Sequence, residues 1–381
     1  MAGFYEFFAG GGMVRAGLGT DWSCLFANDI DPIKGASYER NWGATGLHIA
    51  DVASLTAEDL PGTADLAWAS FPCQDLSLAG SGGGLQAERS GTFWPFWSTV
   101  EGLAAAGRGP STVVLENVCG ALTSHKGEDF AAIAGAVERA GYRFGAVVVD
   151  AVNFVPQSRP RLFVIAVGRN QVIPDGLVSR EPDRRWHPRA LVEACRRLPE
   201  RPRSNWLWWH LPTPPKREVV LSDLIEEDPR GVKWHTAAET RRLLELMSTV
   251  NLAKVEAAKE AGRRVVGTVY KRTRPDESGV SRQRAEVRFD GIAGCLRTPS
   301  GGSSRQTVMI VEGGRARSRL LAPREAARLM GLAEDYKLPE KYNEAYHLAG
   351  DGVVVPVVRH LAEFILEPLL AAFGTAEKKA A

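Results

Sequence analysis

The chain has 381 residues with 47 basic and 45 acidic side chains, and its net charge of +2 does not by itself identify a partner. Because single hydrophobic cores seldom exceed roughly 250 to 300 residues, the length predicts two domains. No stretch approaches the ~20 apolar residues of a membrane span, and no secretion leader precedes the first apolar run, so we expect a cytoplasmic protein without a membrane partner.

The five cysteines indicate neither a disulfide framework nor a metal site. Their number is odd, and they lack both the CxxC spacing and the nearby histidine pairs that are typical of zinc ligands. We therefore expect free thiols and no bound metal. The cysteines are Cys24, Cys73, Cys119, Cys195 and Cys295.

The chain opens with the pattern of a strand, a tight glycine turn and a helix. Residues 4–8 form an apolar run, and residues 9–12 read Ala-Gly-Gly-Gly before a stretch of helical spacing. Glycines at such a turn let the backbone approach a ligand and direct helix N-terminal amides toward it. The spacing does not match G-x-G-x-x-G, so the turn alone identifies no cofactor.

Acidic side chains follow the next two strands. A second apolar run ends at Asp29, where nucleoside-binding sheets hold ribose hydroxyls, and Ile30 beside it offers an apolar face to an adenine ring. Asp31 precedes a proline and has the alternative role of a helix N-cap. A third, shorter segment precedes Asp51 and Val52.

A proline-cysteine turn, Pro72-Cys73-Gln74, follows the strand predicted at residues 65–70. Loops at strand ends of α/β chains carry ligands and catalytic groups, so this placement presents the Cys73 thiol at the crevice of the sheet. A lone cysteine is more often an inert core residue, but the polar residues at neighbouring strand ends favour a nucleophile. The glycine-rich stretch at residues 77–86 predicts a lid beside it.

A glutamate and two arginines mark the next strand ends. The buried-type strand at residues 111–115 ends in Glu116 and Asn117, and a glutamate at that edge is expected to be poorly solvated. Arg159 and Arg161 stand at the entry of a later strand, where a guanidinium beside Glu116 would hold the carboxylate and a polar substrate edge together. The further elements predicted nearby are a helix at residues 128–140 and strands at residues 144–151 and 162–167.

The α/β alternation stops near Arg169, and proline, arginine and tryptophan dominate up to residue 215. Arginine is concentrated at residues 180–217 and 263–288, which favours a nucleic-acid partner only slightly over an ordinary solvated surface. The remaining predicted elements are a helix at residues 236–261, a basic and mostly irregular segment up to residue 290, and helices at residues 323–331 and 354–371.

Six blocks of the chain match, in order, the motifs of one enzyme family. The blocks are Phe7-Phe8-Ala9-Gly10-Gly11-Gly12, Pro72-Cys73-Gln74, Glu116-Asn117-Val118, Gln157-Ser158-Arg159-Pro160-Arg161, residues 323–331 and Gly350-Asp351-Gly352-Val353. On these blocks the chain resembles the DNA (cytosine-5)-methyltransferases. The resemblance implies an α/β fold with a doubly wound, mostly parallel, Rossmann-like sheet and a second, smaller target-recognition domain.

The resemblance also implies a chemistry. S-adenosyl-L-methionine would donate a methyl group to carbon 5 of a cytosine flipped out of double-stranded DNA. The Cys73 thiolate would add to carbon 6, Glu116 would bind or protonate ring N3, and Arg161 would hold the carbonyl edge and orient Glu116. Arg159 is carried over as a further catalytic residue.

For the methyl donor, the resemblance implies a site formed by the glycine turn, the next strand ends and the last block. Asp29 would bind the ribose and Asp51 the adenine amine. Two positions depart from the common family pattern, because Ile30 replaces an aromatic residue and Asp351 replaces an asparagine. The donor-binding residues are Phe8, Gly10, Gly12, Asp29, Ile30, Asp51, Val52, Asp351 and Val353.

The same resemblance divides the chain into three parts. We expect a catalytic and donor-binding domain at residues 1–175, a target-recognition domain at residues 176–335, and a C-terminal segment at residues 336–381 that returns to the catalytic domain. Sequence specificity is expected within residues 180–290. We expect a monomer that binds double-stranded DNA, with a cognate restriction endonuclease that would act separately.

Three other functions stay open at this point. A tRNA (cytosine-5)-methyltransferase would share the catalytic blocks and differ in the middle region. A DNA-binding regulator without activity would have lost the nucleophile, whereas Cys73 and Glu116 are both present. A nicotinamide-dependent oxidoreductase could use the glycine turn and Asp29, but it would leave Cys73 and Glu116 without a joint role.

Overall fold

The computed structural model describes residues 1–72, 91–275, 279–298 and 305–380. Within these ranges the strands are β1 (Ala2–Phe7), β2 (Trp22–Asp29), β3 (Leu47–Ile49), β4 (Leu66–Ala69), β5 (Thr112–Val118), β6 (Tyr142–Asp150), β7 (Pro160–Gly168), β8 (Val178–Ser179), β9 (Trp206–Trp209), β10 (Val265–Pro275), β11 (Ser281–Arg288), β12 (Thr307–Glu312) and β13 (Arg315–Leu320). The helices are α1 (Met13–Leu18), α2 (Pro32–Trp42), α3 (Phe93–Ala105), α4 (Glu128–Arg139), α5 (Arg189–Arg197), α6 (Glu200–Ser204), α7 (Leu221–Leu224), α8 (Ala237–Glu245), α9 (Thr249–Glu260), α10 (Pro323–Leu329), α11 (Tyr342–Asp351), α12 (Val355–Leu361) and α13 (Glu367–Ala380). A π-helical turn, Ala362–Leu366, separates α12 from α13. Among the helices of the described ranges, none is long and apolar enough to cross a membrane.

The chain forms two compact units. Unit 1 contains Met1–Asp150, Pro160–Pro214 and Val355–Ala381, and unit 2 contains Ala151–Arg159 and Pro215–Val354. These bounds differ from the three sequence-based parts, since residues 176–214 belong to unit 1 and residues 336–354 to unit 2. The α/β pattern continues beyond Arg169 because β9 pairs in parallel with β6 and β8 pairs with β9, which extends the sheet of unit 1.

Unit 1 is built on a sheet whose described strands follow the order β3-β2-β1-β4-β5-β7-β6-β9-β8. The first five strands in this order are parallel to one another, whereas β7 runs antiparallel to both β5 and β6. This arrangement confirms the predicted mostly parallel, Rossmann-like sheet. The chain order reverses between β1 and β4, and the carboxyl ends of strands at such a switch point are where open α/β sheets bind ligands.

Helix α12 closes unit 1 by packing on α1. The two helices meet at Gly17, where a side-chain Cβ would lie 2.4 Å from Cβ of Val358 and 2.8 Å from the carbonyl oxygen of Val355. The Arg359 guanidinium donates a 2.7 Å hydrogen bond to the carbonyl of Leu18 at the end of α1. Because α1 directly follows the glycine turn, α12 also fixes the position of that turn.

The substitution Gly17→Ala tests this close approach. A methyl group would overlap backbone as well as side chain, so we expect the free energy of unfolding to fall by about 1 to 3 kcal/mol in chemical denaturation. Gly135→Ala in α4 is the matched control, because its Cβ would meet only the flexible end of Arg139 at 3.1 Å. Helix propensity should make that control neutral or up to ~1 kcal/mol more stable. Equal effects of the two changes would contradict the packing described here.

Unit 2 contains an antiparallel sheet whose described strands follow the order β11-β10-β12-β13. One face of this sheet packs against α8 and α9 through an apolar cluster. A fully buried ion pair of Arg319 and Glu325, at 2.6 Å, joins β13 to the first turn of α10. The cluster consists of Leu243, Met247, Val255, Ala258, Val269, Ala285, Val287, Met309 and Val311.

Two predictions for unit 2 are wrong. The helix expected at residues 236–261 is interrupted between α8 and α9, because the Leu246 carbonyl accepts a 2.9 Å hydrogen bond from Ala285 and Met247 pairs with Ala285. The segment expected to be irregular up to residue 290 instead forms the hairpin of β10 and β11. Its residues alternate between core and arginine positions, a strand pattern that is easily missed where charge dominates the composition.

Candidate active site

The glycine turn after β1 has a backbone that few residue types tolerate. Phe8, Gly10 and Gly12 all have positive φ angles, of 57°, 56° and 76°. Such a conformation is strained for phenylalanine and typical of functional turns. A Cβ at Gly10 would find no atom of the described residues within 4 Å, so the turn borders open space on that side.

A tryptophan of α2 supports the other side of the turn. The Trp42 Nε1 donates a 3.0 Å hydrogen bond to the carbonyl of Gly11. A Cβ at Gly12 would lie 2.4 Å from the same Nε1 atom and 2.9 Å from the Tyr38 ring. The glycine at position 12 is therefore required by close packing as well as by its φ angle, and α2 fixes the turn from behind.

Asp29, at the end of β2, is tied to this turn. One carboxylate oxygen accepts a 2.7 Å hydrogen bond from the amide of Gly10, and the other accepts a 2.8 Å bond from the amide of Asp31. Burial raises the pKa of Asp29, while Lys34 and these amides oppose the rise. The neighbouring Ile30 is 65% exposed, so a large apolar side chain lies at the surface next to a buried carboxylate.

The other predicted residues of this edge lie at the starts of helical turns. Asp31 is the N-cap of α2, and its side chain accepts hydrogen bonds from the amides of Ile33 and Lys34. The helix N-cap role considered for this residue in the sequence analysis is therefore the one observed. Asp51 caps the short 3₁₀ turn that begins at Val52, and its carboxylate is exposed. The turn buries Val52 and leaves the Asp51 carboxylate available at the rim.

A buried glutamate, missed by the sequence analysis, lies in β1 below the glycine turn. The Glu6 side chain is fully buried, and among the described residues neither of its oxygens has a hydrogen-bond partner of good geometry. Burial raises the pKa of Glu6 to about 8, and the opposing effects of Arg15 and the amide of Val14 are smaller. At neutral pH the Glu6 carboxyl is therefore largely protonated. A glutamate within an apolar run carries no sequence signal of this state.

The raised pKa of Glu6 predicts a pH-dependent stability. The carboxyl keeps its proton in the folded state up to about pH 8 but loses it near pH 4.5 when unfolded. The folded state therefore binds more protons in this window, and its free energy of unfolding should fall with rising pH by on the order of a few kcal/mol from this group. Glu6→Gln should flatten the curve between these pH values in denaturant titrations. The exposed control Glu39→Gln should leave its slope unchanged, and a Glu6→Gln curve parallel to wild type would contradict the assignment.

Glu116 and Arg161 form an ion pair at the carboxyl end of β5. In the antiparallel register, Glu116 is opposite Phe163 and Val118 is opposite Arg161, so Glu116 and Arg161 are diagonal neighbours on one face. Their Oε1 and Nε atoms are 3.3 Å apart, and both side chains are mostly buried. The predicted poor solvation of Glu116 is confirmed, since the residue is only 7% exposed.

Asn117 connects this strand end to the predicted nucleophile turn. Its Nδ2 donates a 3.3 Å hydrogen bond to the carbonyl of Phe71, and its Oδ1 accepts a 2.8 Å bond from the amide of Val118. Because β4 and β5 are parallel neighbours, the chain leaves β4 toward Pro72 directly beside the end of β5. Cys73 itself and the predicted lid at residues 77–86 lie outside the described residues.

The remaining predicted site residues belong to unit 2. The buried Arg159 guanidinium donates 2.9 Å hydrogen bonds to the carbonyls of Leu296, Gly350 and Gly352. Asp351, the last residue of α11, accepts a hydrogen bond from the hydroxyl of Thr298. Val353 is buried. Arg159 thus fixes the backbone around Asp351, while the functional roles assigned to these residues stay predictions.

Comparison with known proteins identifies the family. A family model described as C-5 cytosine-specific DNA methylase matches residues 2–367. The chain belongs to this family. The resemblance drawn from the six sequence blocks is therefore confirmed, and the protein is a DNA (cytosine-5)-methyltransferase.

The individual relatives have low sequence identity to this chain, but the matched regions cover nearly all of it. The Type II methyltransferase M.BsuFI of Bacillus subtilis is 25% identical over 371 residues, which are 97% of this chain and 73% of that protein. M.HhaI of Haemophilus parahaemolyticus is 24% identical over 361 residues, 94% of this chain and 92% of that protein. The solved structure of the Entamoeba histolytica methyltransferase EhMeth superposes with a TM-score of 0.60 at 14% identity, covering 97% and 99% of the two chains, and supports the fold.

Three other thiols of the methyltransferase are unsuited to nucleophilic attack. Burial raises the pKa values of Cys24, Cys119 and Cys195 to about 11, so these groups stay protonated at neutral pH. Only the thiolate form of cysteine is a strong nucleophile. None of these three thiols is therefore activated as a nucleophile at neutral pH. Among the described residues, no group of three or more His, Cys, Asp or Glu side chains is arranged to hold a metal ion.

Proposed function

We propose that this methyltransferase transfers a methyl group from S-adenosyl-L-methionine to carbon 5 of a flipped-out cytosine in a specific double-stranded DNA sequence. The reaction would proceed through a covalent bond between Cys73 and carbon 6. The observation that carries the proposal is the buried Glu116–Arg161 pair at the end of β5, beside the strand whose chain continues to Cys73.

The residues of unit 1 fit such a donor. The positive φ at Gly10 and the open space beside it form a cradle that a Cβ would fill. The Asp29 carboxylate keeps lone pairs for a ribose hydroxyl after accepting two amides, and the exposed Ile30 offers a surface for an adenine ring. When bound, the donor would supply an electrophilic methyl group. Asp51 at the adenine amine completes the proposed set within unit 1. The donor-binding roles of Asp351 and Val353 stay predictions from the family resemblance.

The proposed covalent step follows from the weak nucleophilicity of carbon 5. The Cys73 Sγ thiolate shares an electron pair with carbon 6, which shifts electron density through the ring and makes carbon 5 enamine-like. Carbon 5 would then bond to the methyl group while the methyl–sulfur bond of the donor breaks, and its electron pair would stay on the sulfur of the departing S-adenosyl-L-homocysteine. Loss of the carbon 5 proton to a base returns the electron pair to the ring and expels the Cys73 thiolate, so the enzyme is regenerated.

Glu116 and Arg161 would act on the polar edge of the ring. Addition at carbon 6 places negative charge on the N3 side, where a carboxyl group can donate a proton or a hydrogen bond. The Arg161 Nε, 3.3 Å from Glu116 Oε1, holds the glutamate in place and leaves a planar guanidinium for the carbonyl oxygen. Asn117, next to Glu116, is held by its hydrogen bond to the carbonyl of Phe71, the residue before Pro72.

Duplex DNA must be deformed for this chemistry. The faces of a base are inaccessible within a stack, so the target cytosine must leave the helix at a cost of a few kcal/mol. Recognition of the surrounding sequence is assigned to residues 180–290, although residues up to 214 are part of unit 1. We propose that the protein is a monomer. We also propose a separately acting partner, a restriction endonuclease that recognises the same DNA sequence.

Expression in a host free of cytosine methylation tests the proposal directly. Bisulfite sequencing of the host DNA should reveal 5-methylcytosine within one short sequence context, and purified enzyme should label the same duplex with methyl groups from S-adenosyl-L-methionine. A matched assay on tRNA should show no labelling. Methylated tRNA with unmodified host DNA would overturn the proposal in favour of an RNA substrate.

A further inference from the structure

The carbonyl of Gly11, in the glycine turn, is bound by a side chain from the far end of α2. Trp42, the last residue of α2, donates its indole N–H to this carbonyl at 3.0 Å across a separation of 31 residues. Gly11 is buried, so its carbonyl requires a hydrogen-bond partner within the protein. The bond from Trp42 meets this requirement with a side chain, whereas a regular helix or strand would meet it with backbone.

The same bond fixes the orientation of the peptide group between Gly11 and Gly12. In a planar trans peptide group the carbonyl and the N–H point in opposite directions. The Gly11 carbonyl points toward Trp42, and the Gly12 N–H donates a 2.8 Å hydrogen bond to the carbonyl of Ala9. Rotation of this peptide group would therefore break two hydrogen bonds. The positive φ angle of Gly12, which directs the chain into α1, depends on this orientation.

The Trp42 ring is held in this position by α1. The guanidinium of Arg15 lies over the ring, 5.2 Å from its centroid, in a cation–π contact. Arg15 also donates a 3.2 Å hydrogen bond to the hydroxyl of Tyr38, which lies one helical turn earlier in α2. If the ring moved away from Gly11, it would lose its contact with Arg15 as well as its hydrogen bond.

The beginning of the glycine turn is bonded to the end of β2. The amide of Ala9 donates a 2.8 Å hydrogen bond to the carbonyl of Asn28, and the amide of Gly10 donates a 2.7 Å bond to the carboxylate of Asp29. With the bond from Trp42, the turn is attached at both ends to one continuous segment, residues 28–42. These attachments hold a strained backbone in one conformation while the side of Gly10 stays open to a ligand.

We propose that Trp42 is a positioning residue for the methyl donor, and that its indole N–H holds the glycine turn in the donor-binding conformation before the donor binds. This inference rests on the proposed function, which places S-adenosyl-L-methionine at that turn. When the binding conformation of a loop is only partly populated, the apparent dissociation constant of its ligand rises. The bond acts on the turn and not on the methyl group, so the demethylated product S-adenosyl-L-homocysteine should depend on Trp42 to the same extent.

The substitution Trp42→Phe tests the inference in the full-length enzyme, because it deletes the indole N–H and keeps an aromatic ring below Arg15. For the loss of one hydrogen bond of typical net strength, calorimetry should show dissociation constants for S-adenosyl-L-methionine and S-adenosyl-L-homocysteine that both rise by roughly 2- to 10-fold. The KM for the donor should rise by a similar factor, while kcat at saturating donor and the dissociation constant for duplex DNA stay at their wild-type values. A merely structural role would lower the free energy of unfolding without this selective loss of donor affinity.

Trp22→Phe is the matched control for the loss of an indole N–H. Trp22 donates a 3.3 Å hydrogen bond to Oε1 of Glu367, and it lies at the opposite end of β2 from Asp29. This variant should bind both ligands with wild-type dissociation constants. Unchanged donor affinity in Trp42→Phe, equal losses of donor affinity in the two variants, or a Trp42→Phe chain that no longer folds would overturn the inference. A wild-type enzyme that binds no S-adenosyl-L-methionine would instead overturn the proposed function.

Discussion

Replacing Cys73 with serine is expected to abolish methyl transfer while leaving S-adenosyl-L-methionine binding nearly intact. The hydroxyl of serine is a far weaker nucleophile than a thiolate, whose parent thiol has an unperturbed pKa of ~8.5. Without addition at carbon 6, carbon 5 stays too electron-poor to take the methyl group. Single-turnover transfer of labelled methyl groups and calorimetry of donor binding measure the two properties separately.

Cys119→Ser is the matched control for this substitution. Cys119 follows directly after β5, and burial raises its thiol pKa to about 11, so it should contribute no nucleophile. Its serine variant should retain most of the wild-type rate. Substantial turnover by the Cys73 variant, or loss of turnover in both variants, would contradict the assignment of the nucleophile.

Replacing Glu116 with glutamine should retain DNA binding and lose most of the rate. General acid catalysis typically contributes roughly 10² to 10⁴-fold, and an amide cannot release a proton to ring N3. The substitution also removes the negative partner of Arg161 Nε at 3.3 Å, so part of the loss would come from a displaced guanidinium. The single-turnover rate is therefore the decisive measurement, with the DNA dissociation constant measured alongside.

A second glutamate of unit 1 controls for the loss of charge. Glu128→Gln changes an exposed residue in the first turn of α4 and should leave the single-turnover rate near wild type. A Glu116→Gln enzyme with weakened DNA binding but an unchanged single-turnover rate would show that Glu116 binds substrate without taking part in the proton transfer.

The sequence alone predicted the parts of unit 1 that are marked by a local pattern of residues and that lie in the fold where this pattern indicates. The apolar run of β1, the glycines after it and Asp29 at the end of β2 are each local signals, and the structure joins Gly10 to Asp29 by a hydrogen bond. The Glu116–Arg161 pair depends on the antiparallel register of β5 and β7. The sequence suggested that pair through the proximity of motifs, but the register that creates the contact is visible only in the structure.

Other features depend on contacts between distant residues and had no sequence signal. Glu6 is one residue in an apolar run, and its raised pKa follows from burial that only the folded sheet creates. The break between α8 and α9 arises because Leu246 bonds to a strand almost 40 residues later, at Ala285. Arg159 carried a catalytic expectation from its motif, whereas its hydrogen bonds to Leu296 and Gly350 depend on the folding of unit 2.

Trapping the covalent complex tests the central claim most directly. A duplex with 5-fluorocytosine at the mapped target accepts the methyl group but has no proton on carbon 5 to release, so the thiolate cannot be expelled and the enzyme stays bonded to DNA. After proteolysis, mass spectrometry should locate the methylated nucleotide on the peptide that contains Cys73, and the Cys73→Ser enzyme should form no adduct. An adduct on another residue, or wild-type methylation of ordinary cytosine without any trapped complex, would contradict the account.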